Sequence, residues 1–581
     1  MTEAPAEQQP VALARPEDEH SQAEWEAAAA AVLRKTRKLG EDDPDSLVWD
    51  KLGRATLDGI TVTPLGLPGG DVAAVRPTRA GAWDIRSLID DPEPKLANEA
   101  ALVDLEGGVT SLWLAADEGC DLAAVLTGVL LDLAPVVLDA PVGTAAVAEA
   151  FLALPGVKHA DSNLGVDPIG QVLRGRPLAG DAVDQVQTLA RWAWQADIRA
   201  IVVDATAAHD LGASDAQELG WAIAAGTAYL RWLTAEDGGG FSVDEAAGLI
   251  DFRLAATDEQ FPTIAKLRAA RTLWASVLDH SGASSTRMRI HATTSRPSFS
   301  KYDPYVNMLR GTVAAFAAGV GGADSITVLP FDSANGRPQA FGRRIARNVS
   351  HLLIDESHVA VVADPAGGAY AVEQLTGDLA VAGWSEFQRL EAEWAGDVDV
   401  TAFRARIEEV VAKRERAIAK RSRPLTGLTE FPNLAEELPQ RDPDPRADSV
   451  RRYGASFEAL RDEPAGQPVF LATLGPIAHH TARATFAANL LATGGIAVDL
   501  AGATSGASDL VAAYAGQSVV MLAGSDRAYE EWGADAAAAL REAGARHVII
   551  AGKQVDYADA SAAMGVDALD FLTTVRKELG A

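Results

Sequence analysis

Two adjacent histidines, His479 and His480, stand where an apolar run meets a predicted helix in TLGPIAHHTARATFAANLLATGG, residues 473–495. Loops between a strand and a helix of a parallel sheet are common cofactor sites. An imidazole could bind a metal through one nitrogen while a second group holds the other nitrogen. Adjacent side chains diverge, however, and no cysteine or third histidine is nearby in the sequence, so no metal site is predicted. The alternative is that both histidines cap the helix or face a partner chain.

Two further histidines lie near predicted strand ends, where they could transfer a proton or hydrogen-bond a substrate carbonyl. His209 stands in VVDATAAHDLGASDAQELG (202–220), and His291 stands in RIHATT (289–294). The alternative for His209 is a solvated loop histidine, and His291 alone could not carry out a reaction. The sequence contains no Gly-x-Gly-x-x-Gly turn before a helix and no Walker A motif, so it predicts no phosphate-binding loop.

The elements that would position these residues are short β-rich runs separated by Ala- and Leu-rich segments. The runs are nearly all apolar, which is typical of parallel strands buried on both faces. Segments 215–233 and 261–278 are long enough for crossover helices. Eight such units predict a closed (β/α)8 TIM barrel, with an open doubly wound sheet as the alternative. The runs lie at 110–115, 135–140, 157–162, 200–206, 252–257, 289–294, 325–330 and 358–363.

The rest of the chain divides around the predicted barrel. A flexible arm and a helix are predicted first, with Ser21 as N-cap, Glu24 completing a capping box and Gly40 ending the helix. A Pro-rich, charged segment predicts an extended linker along the barrel surface. Four more apolar runs that alternate with helices predict a smaller open parallel α/β domain. The predicted boundaries are 1–45 for the arm and helix, 46–423 for the barrel, 424–466 for the linker and 467–581 for the small domain.

Composition excludes several classes of protein. With 51 basic and 81 acidic residues the formal net charge is −30, which would repel a nucleic acid. The acidic N-terminus is not typical of a signal peptide, and no uninterrupted apolar stretch is long enough to span a membrane. The single cysteine, Cys120, is expected to be a small buried side chain and fits a reducing compartment, so we expect a cytoplasmic protein.

The order of domains and several motifs resemble the adenosylcobalamin-dependent methylmalonyl-CoA mutases. RIHATTSRPSFSKYDPYVNMLRGT (289–312) is similar to the family's Arg-Thr-His-Cys-Gln-Thr-Ser-Gly-Trp segment and the Asp-Pro-Tyr-x-Asn that follows it. The resemblance runs from about residue 45 to the end of the sequence and implies a cobalamin-binding-type, flavodoxin-like fold for the small domain. Three further blocks match, AKLRAARTLW (265–274), RRIARN (343–348) and VADPAGGAYAVEQLT (362–376).

The resemblance also implies that the catalytic site is degenerate. The family's histidine in Ser-Gly-Tyr-His-Met-Gln-Glu-Ala-Gly-Ala falls on Ala207, and His209 lies two residues further on. Such a shift would lose a geometrically strict contact, so His209 and His291 are weak candidates for a catalytic role. An arginine at the barrel mouth would be a buried cation unless it is paired, which predicts a filled mouth. The other replacements are Gly165 and Thr293 for glutamines, Arg296 for a glycine and Pro297 for a tryptophan.

The family's cobalamin site is altered in the same way. In its Asp-x-His-x-x-Gly turn the histidine binds cobalt and the aspartate orients the imidazole. His479 takes the histidine position as a vestigial ligand, but Ile477 replaces the aspartate and Ala482 replaces the glycine. The family's serine turn falls near residues 523–525, and its glycine pair reads Ala551–Gly552.

The resemblance therefore implies the small, non-catalytic subunit of a heterodimeric enzyme that interconverts (R)-methylmalonyl-CoA and succinyl-CoA. A large catalytic subunit would carry the adenosylcobalamin and bind the acyl-CoA, and this chain is expected to hold neither cofactor nor metal. The N-terminal arm and helix are expected to contact that partner. One alternative is an active cobalamin-dependent mutase with altered ligation. The other is a non-enzymatic acyl-CoA-binding or chaperone-like protein.

Overall fold

The computed structural model describes residues 19–69, 76, 79, 81–236, 240–285, 287–395 and 397–581. The predicted flexible arm covers the first twenty residues, and residues 1–18 of it lie outside these ranges. Within them the chain forms a closed barrel and a separate parallel sheet. No helix in the described ranges is long and apolar enough to cross a membrane.

The first helix, α1 (Gln22–Lys35), begins at the predicted capping box. The Ser21 hydroxyl accepts a hydrogen bond from the Glu24 amide at 3.2 Å, and the Glu24 carboxylate accepts one from the Ser21 amide at 2.7 Å. The helix ends before the predicted Gly40, because Arg37 turns the chain with a positive φ of 57°. The segment continues with α2 (Val48–Leu52) and with an antiparallel hairpin of β1 (Arg54–Ala55) and β2 (Thr61–Val62).

Eight parallel strands close into a barrel, as the sequence predicts. Their side chains are mostly buried, and the largest buried side chains around them include Trp113, Trp221 and Trp274. The last strand pairs in parallel with the first, which closes the ring. The strands are β3 (Asp84–Ile89), β4 (Ser111–Ala115), β5 (Val136–Asp139), β6 (Asn163–Val166), β7 (Arg199–Asp204), β8 (Ile250–Ala256), β9 (Ile290–Thr294) and β10 (Ser325–Thr327).

The predicted number of barrel strands is confirmed, but two of the predicted positions are wrong. The run at 358–363 forms a 3₁₀ turn, and its Val361 is 78% exposed. The true first strand, β3, was missed because Asp84, Arg86 and Ser87 interrupt its apolar pattern. The run at 157–162 is also irregular, and the strand lies just after it at β6. Short apolar runs alone do not distinguish a strand from a partly exposed turn.

Helices cover the outside of the barrel, and the two predicted crossover helices are confirmed. They are α9 and α11, which begin within one residue of the predicted positions. Ser214 and Gln217 form a capping box at the start of α9. The barrel helices are α3 (Pro94–Glu106), α4 (Leu122–Val125), α5 (Thr144–Ala153), α6 (Pro168–Leu173), α7 (Ala182–Gln195), α8 (Thr206–Asp210), α9 (Asp215–Thr234), α10 (Val243–Gly248), α11 (Gln260–His280), α12 (Pro304–Val320), α13 (Ala340–His351), α14 (Tyr370–Glu393) and α15 (Thr401–Ala419).

Residues 441–453, which we call the strap, cross the face of the barrel at which the strands end. The Arg446 guanidinium lies 2.6 Å from the Asp90 carboxylate, just after β3. The Arg451 amide donates to the Asp210 carbonyl, after β7, at 2.8 Å. The Tyr453 amide donates to the Pro297 carbonyl, after β9, also at 2.8 Å. The strap therefore lies over the barrel mouth. The predicted linker is not extended throughout, because it includes helix α16 (Ala455–Asp462).

The second unit is a five-stranded parallel sheet in the order β12-β11-β13-β14-β15. An apolar cluster lies on each face of it. Four strands match predicted runs, whereas β15, with the sequence Ala-Ser-Ala, lacks an apolar run and was missed. The strands are β11 (Val469–Leu474), β12 (Val498–Leu500), β13 (Val519–Gly524), β14 (His547–Ala551) and β15 (Ala560–Ala562). The helices are α17 (Ile477–Thr493), α18 (Ala507–Ala513), α19 (Asp526–Ala528), α20 (Ala534–Glu542) and α21 (Ala568–Leu579).

Candidate functional site

The first candidate site lies at the carboxyl end of the five-stranded sheet. The strand order reverses between β11 and β13, and open sheets of this type bind ligands in the crevice at such a point. His479 and Ile477 lie in the first turn of α17, directly after β11, so the structure brings them to this crevice. His479 is exposed, and so is Ala482 one turn later. Ile477 is 67% exposed and offers no group that could hold an imidazole.

The neighbouring His480 does not cap α17. The first turn has Pro476 as N-cap, without a side-chain hydrogen bond. His480 is buried, and its Nδ1 lies 3.1 Å from the Gly475 carbonyl oxygen, to which it donates. A helix N-cap must accept from an amide, so the predicted capping role is wrong for His480.

Tyr529 lies at the carboxyl ends of β13 and β14, next to this crevice. Its hydroxyl accepts from the Gly524 amide at 3.0 Å and lies 2.9 Å from the Ala551 carbonyl, to which it donates. The Arg483 guanidinium donates to the Gly524 carbonyl at 2.6 Å, and its carbon lies 4.9 Å from the centre of the Tyr529 ring. The ring and the guanidinium thus join the ends of β13 and β14 to α17. Burial raises the pKa of the Tyr529 hydroxyl, so the phenol stays neutral.

Within the barrel, His291 is a buried residue of β9 with both ring nitrogens engaged. The Arg253 Nε donates to His291 Nδ1 at 3.1 Å, and His291 Nε2 lies 2.8 Å from the Thr327 hydroxyl. Because Arg253 can only donate, Nδ1 must be the acceptor and Nε2 must carry the proton. Burial and nearby arginines hold the His291 pKa well below its usual value. This neutral imidazole is fixed in place and has no free nitrogen for a substrate.

His209 is also buried, at 3% exposure, so the prediction of a solvated loop histidine is wrong. It lies on α8, which turns inward after β7, and Tyr453 of the strap packs 6.5 Å from its ring centre. Burial, with the nearby Lys266 and Arg414 cations, holds the His209 pKa well below its usual value. Ala207, the predicted position of the family histidine, is 1% exposed and presents only a methyl group.

Ser295, His209 and Glu218 are connected like the serine, histidine and acid of a hydrolase. His209 Nε2 lies 2.7 Å from the Ser295 hydroxyl, and Nδ1 lies 3.6 Å from the Glu218 carboxylate. The chemistry does not follow, because Ser295 is 1% exposed and Glu218 is engaged by Lys266 at 2.7 Å. A triad histidine must also accept a proton, which the depressed pKa of His209 opposes. The hydrogen bond between His209 and Ser295 is therefore structural, and Glu218 lies too far from His209 Nδ1 for a hydrogen bond.

The barrel mouth retains a cleft of about 510 Å³ beneath the strap. Trp113 lies at its base, with the Arg253 guanidinium carbon 3.9 Å from the ring centre. Arg296 lies 5.5 Å from the same ring and 3.7 Å from the Asp210 carboxylate. Arg296 is thus paired with Asp210, and the mouth is only partly filled, whereas the sequence predicted a filled mouth. This face of a TIM barrel is the one that carries active sites.

Sequence reasoning missed several groups that shape these two sites. Arg253 had a signal, because an arginine inside an otherwise apolar strand must have a buried partner, which here is Asp204 at 3.2 Å. Tyr529 and Arg483 had none, since their positions depend on how α17 and the turn after β13 meet. No group of three or more histidine, cysteine or acidic residues that could hold a metal occurs in the described part of the chain.

Comparison with known proteins gives one consistent family. A family model described as methylmalonyl-CoA mutase matches residues 179–507. The chain is 40% identical to the methylmalonyl-CoA mutase small subunit of Streptomyces virginiae, over 100% of both chains. It is 40% identical to the probable small subunit of Mycobacterium tuberculosis (strain CDC 1551 / Oshkosh), over 92% of this chain and 93% of the relative. It is 35% identical to the small subunit of Propionibacterium freudenreichii subsp. shermanii, over 96% and 94%.

Proposed function

The chain belongs to the methylmalonyl-CoA mutase family, and we propose that it is the small, non-catalytic subunit of a heterodimeric enzyme of that family. The complex would interconvert (R)-methylmalonyl-CoA and succinyl-CoA, and the large subunit would bind the acyl-CoA and the adenosylcobalamin. Three of the most similar relatives are named as small subunits, which supports this assignment. The observation that carries the proposal is the absence of a usable histidine where the family's catalytic histidine falls.

The barrel geometry supports a subunit without a working active site. A histidine that polarises a substrate carbonyl must reach it within hydrogen-bond distance. Ala207 cannot do so, and the ring nitrogens of His209 and His291 face protein groups. At Gly165, which takes a glutamine position of the family, φ is +69° and an added Cβ would lie 1.8 Å from the Leu138 carbonyl oxygen. No larger side chain fits there.

The small domain does not fit cobalamin either. A histidine that binds cobalt needs a partner on its second nitrogen and an open crevice for the nucleotide tail of the cofactor. Ile477 offers no such partner to His479, and the Tyr529 hydroxyl and the Arg483 guanidinium hydrogen-bond to the strand end beside the crevice. We therefore assign no cofactor to this chain.

The finer architecture forms part of the same proposal. We assign the five-stranded sheet to the flavodoxin-like class, because its order in chain sequence is 2-1-3-4-5. We retain domain boundaries of 1–45, 46–423, 424–466 and 467–581, with the third segment as a linker that includes the strap. The N-terminal arm and α1 would contact the large subunit. A cytoplasmic location is supported by the single cysteine, which fits a reducing compartment.

The test is to produce this chain with and without a family large subunit and to measure turnover and bound corrin. We expect a complex of one copy of each chain that holds one corrin, and no turnover by this chain alone. The matched control is the large subunit alone. Measuring its turnover and its stability shows whether this chain affects the activity of the large subunit or only its stability. Turnover of methylmalonyl-CoA by this chain without a partner would refute the proposal.

Two titrations address the alternatives. Adenosylcobalamin added to the isolated chain should leave its visible spectrum unchanged, whereas a spectrum of bound corrin would favour an active mutase with altered ligation. Calorimetry with CoA thioesters should show no saturable heat. Tight binding without a partner would favour an acyl-CoA-binding protein that is not part of an enzyme.

A further inference from the structure

A second cavity of about 340 Å³ lies beside the barrel mouth and shares no lining residue with the cleft beneath the strap. Its wall combines the turn of the N-terminal hairpin, the start of α9, the loop after β8, the end of α15 and Tyr453 of the strap. Separate segments of the chain, with His209 of α8 among them, thus converge on one open cavity. Its volume is at the lower end of the range for small-molecule sites.

The unusual group in this wall is Arg414, a cation that is only 4% exposed. Its two terminal nitrogens donate to the carbonyls of Gly212 at 2.7 Å and Ala213 at 3.2 Å. Its Nε has no hydrogen-bond partner among the described residues. Nor does any carboxylate in the described ranges lie within 4.0 Å of its guanidinium. A buried guanidinium of this kind is normally paired with an anion.

A second guanidinium converges on the same place. The Tyr453 ring lies 4.6 Å from the Arg414 guanidinium carbon and 5.3 Å from that of Arg423. The nearest carboxylate to Arg423 is that of Glu259, at 3.6 Å, which is too long for a hydrogen bond. Two arginines therefore line the cavity with unused donor capacity, and a planar fork of this kind matches a carboxylate.

The rest of the wall limits the kind of anion. Leu57, Ala213 and Pro262 supply apolar surface, which suits a short hydrocarbon body better than a bare inorganic ion. Asp58, Asp215 and Glu259 also line the cavity, and their charges would repel a second carboxylate on the ligand. The wall thus favours one negative charge with an apolar remainder.

We propose that this cavity binds a small monocarboxylic acid, whose carboxylate pairs with Arg414 and Arg423 and whose apolar part lies against Leu57 and Pro262. The inference does not depend on the proposed function, because it concerns a separate cavity. A bound acid would link the hairpin, the barrel and the strap, and so would stabilise the folded chain in proportion to its occupancy.

The test is calorimetry and thermal unfolding of the full chain with butyrate, glutarate and inorganic phosphate as probes. We expect saturable binding of butyrate with a Kd of about 1 mM or below, and weaker binding of glutarate and phosphate. Arg423→Gln should weaken butyrate binding about ten- to a hundredfold, since it removes a charge-assisted hydrogen bond. Arg416→Gln, at an exposed position on α15, the helix that carries Arg414, is the matched control and should leave the butyrate affinity unchanged.

Arg414→Lys is a second variant, and Arg423→Gln keeps the test valid if Arg414→Lys does not fold. Butyrate binding that is lost in Arg423→Gln and kept in Arg416→Gln supports the proposal. No saturable butyrate binding refutes it, and so does equal binding of all three anions. Loss of binding in Arg446→Gln but not in Arg423→Gln would place the site under the strap and would also refute it.

Discussion

Replacing Lys266 by methionine should destabilise the barrel strongly, because it leaves a buried carboxylate without its counter-charge. Lys266 on α11 and Glu218 on α9 are both 0% exposed, and their charged groups lie 2.7 Å apart. Lys266 also contacts the Asp215 carboxylate at 2.8 Å. Without the ammonium, the hydrogen-bond donor left to Glu218 among the described residues is the Ala255 amide, at 2.6 Å. The expected cost is about 3–5 kcal/mol, the range for removing one partner of a buried pair.

The pH dependence of this variant has a definite sign. Burial raises the pKa of Glu218 to about 7, and the Lys266 ammonium opposes that rise. In Lys266→Met the pKa should rise further, so the folded chain binds a proton that the unfolded chain has lost. Stability then falls as pH increases from the unfolded carboxyl pKa, near 4.5, through the folded value above 7. The variant should therefore be less destabilised at pH 6 than at pH 8.

Hydrogen exchange of α9 and α11 peptides in the full chain is the suitable assay, because it reports the free energy of opening of each region separately. A loss of about 3–5 kcal/mol corresponds to roughly two to four orders of magnitude in protection. Lys413→Met, at an exposed position on α15, is the matched control and should change protection little. The double variant Glu218→Gln, Lys266→Met removes both charges and should recover most of the loss. A double variant no better than Lys266→Met would refute the reasoning.

Three further predictions address other parts of the molecule. Tyr529→Phe should cost about 1–3 kcal/mol, because the Gly524 amide loses its acceptor, and exchange of that amide should accelerate. Asp58→Asn should raise the melting temperature at pH 7.5 but not at pH 4. Burial and a nearby carboxylate raise the Asp58 pKa to about 6, so ionisation of Asp58 destabilises the fold as pH rises from about 4 to 6. An equal gain in melting temperature at both pH values would contradict this. Arg446→Gln should cost about 1 kcal/mol through loss of a partly exposed ion pair with Asp90 and should speed amide exchange in the strap, and unchanged exchange would show that this pair does not hold the strap.

Much of the architecture could be predicted from the sequence, because the barrel depends on local patterns. The crossover helices α9 and α11 are long and rich in buried apolar residues, and α9 begins at a capping box, so their limits were predicted within two residues. Strand β3 was missed because its polar residues hydrogen-bond to protein groups. The Arg86 guanidinium donates to Asp84 and to Ser111, and such contacts permit polar residues within a buried strand. A pattern of apolar residues contains no information about such pairs.

The sites were less predictable than the fold. The sequence predicts that the family's chemistry is lost at Ala207 and Ile477, since a methyl or an isoleucine cannot replace a histidine or an aspartate. The side chains that surround these two positions could not be predicted, because their contacts join distant segments. The Arg451 amide reaches Asp210 across 241 positions of the chain, and no local signal predicts that meeting.

The strap has a consequence for any molecule that would enter the barrel. The strap is part of the same chain as α15 on one side and α16 on the other, so its contacts with the barrel mouth are intramolecular. Any molecule from solution would compete with these contacts. A short tether gives such an intramolecular segment an effective concentration on the order of millimolar. A dilute molecule that needs the space of the strap would therefore have to bind the mouth more strongly than the strap does.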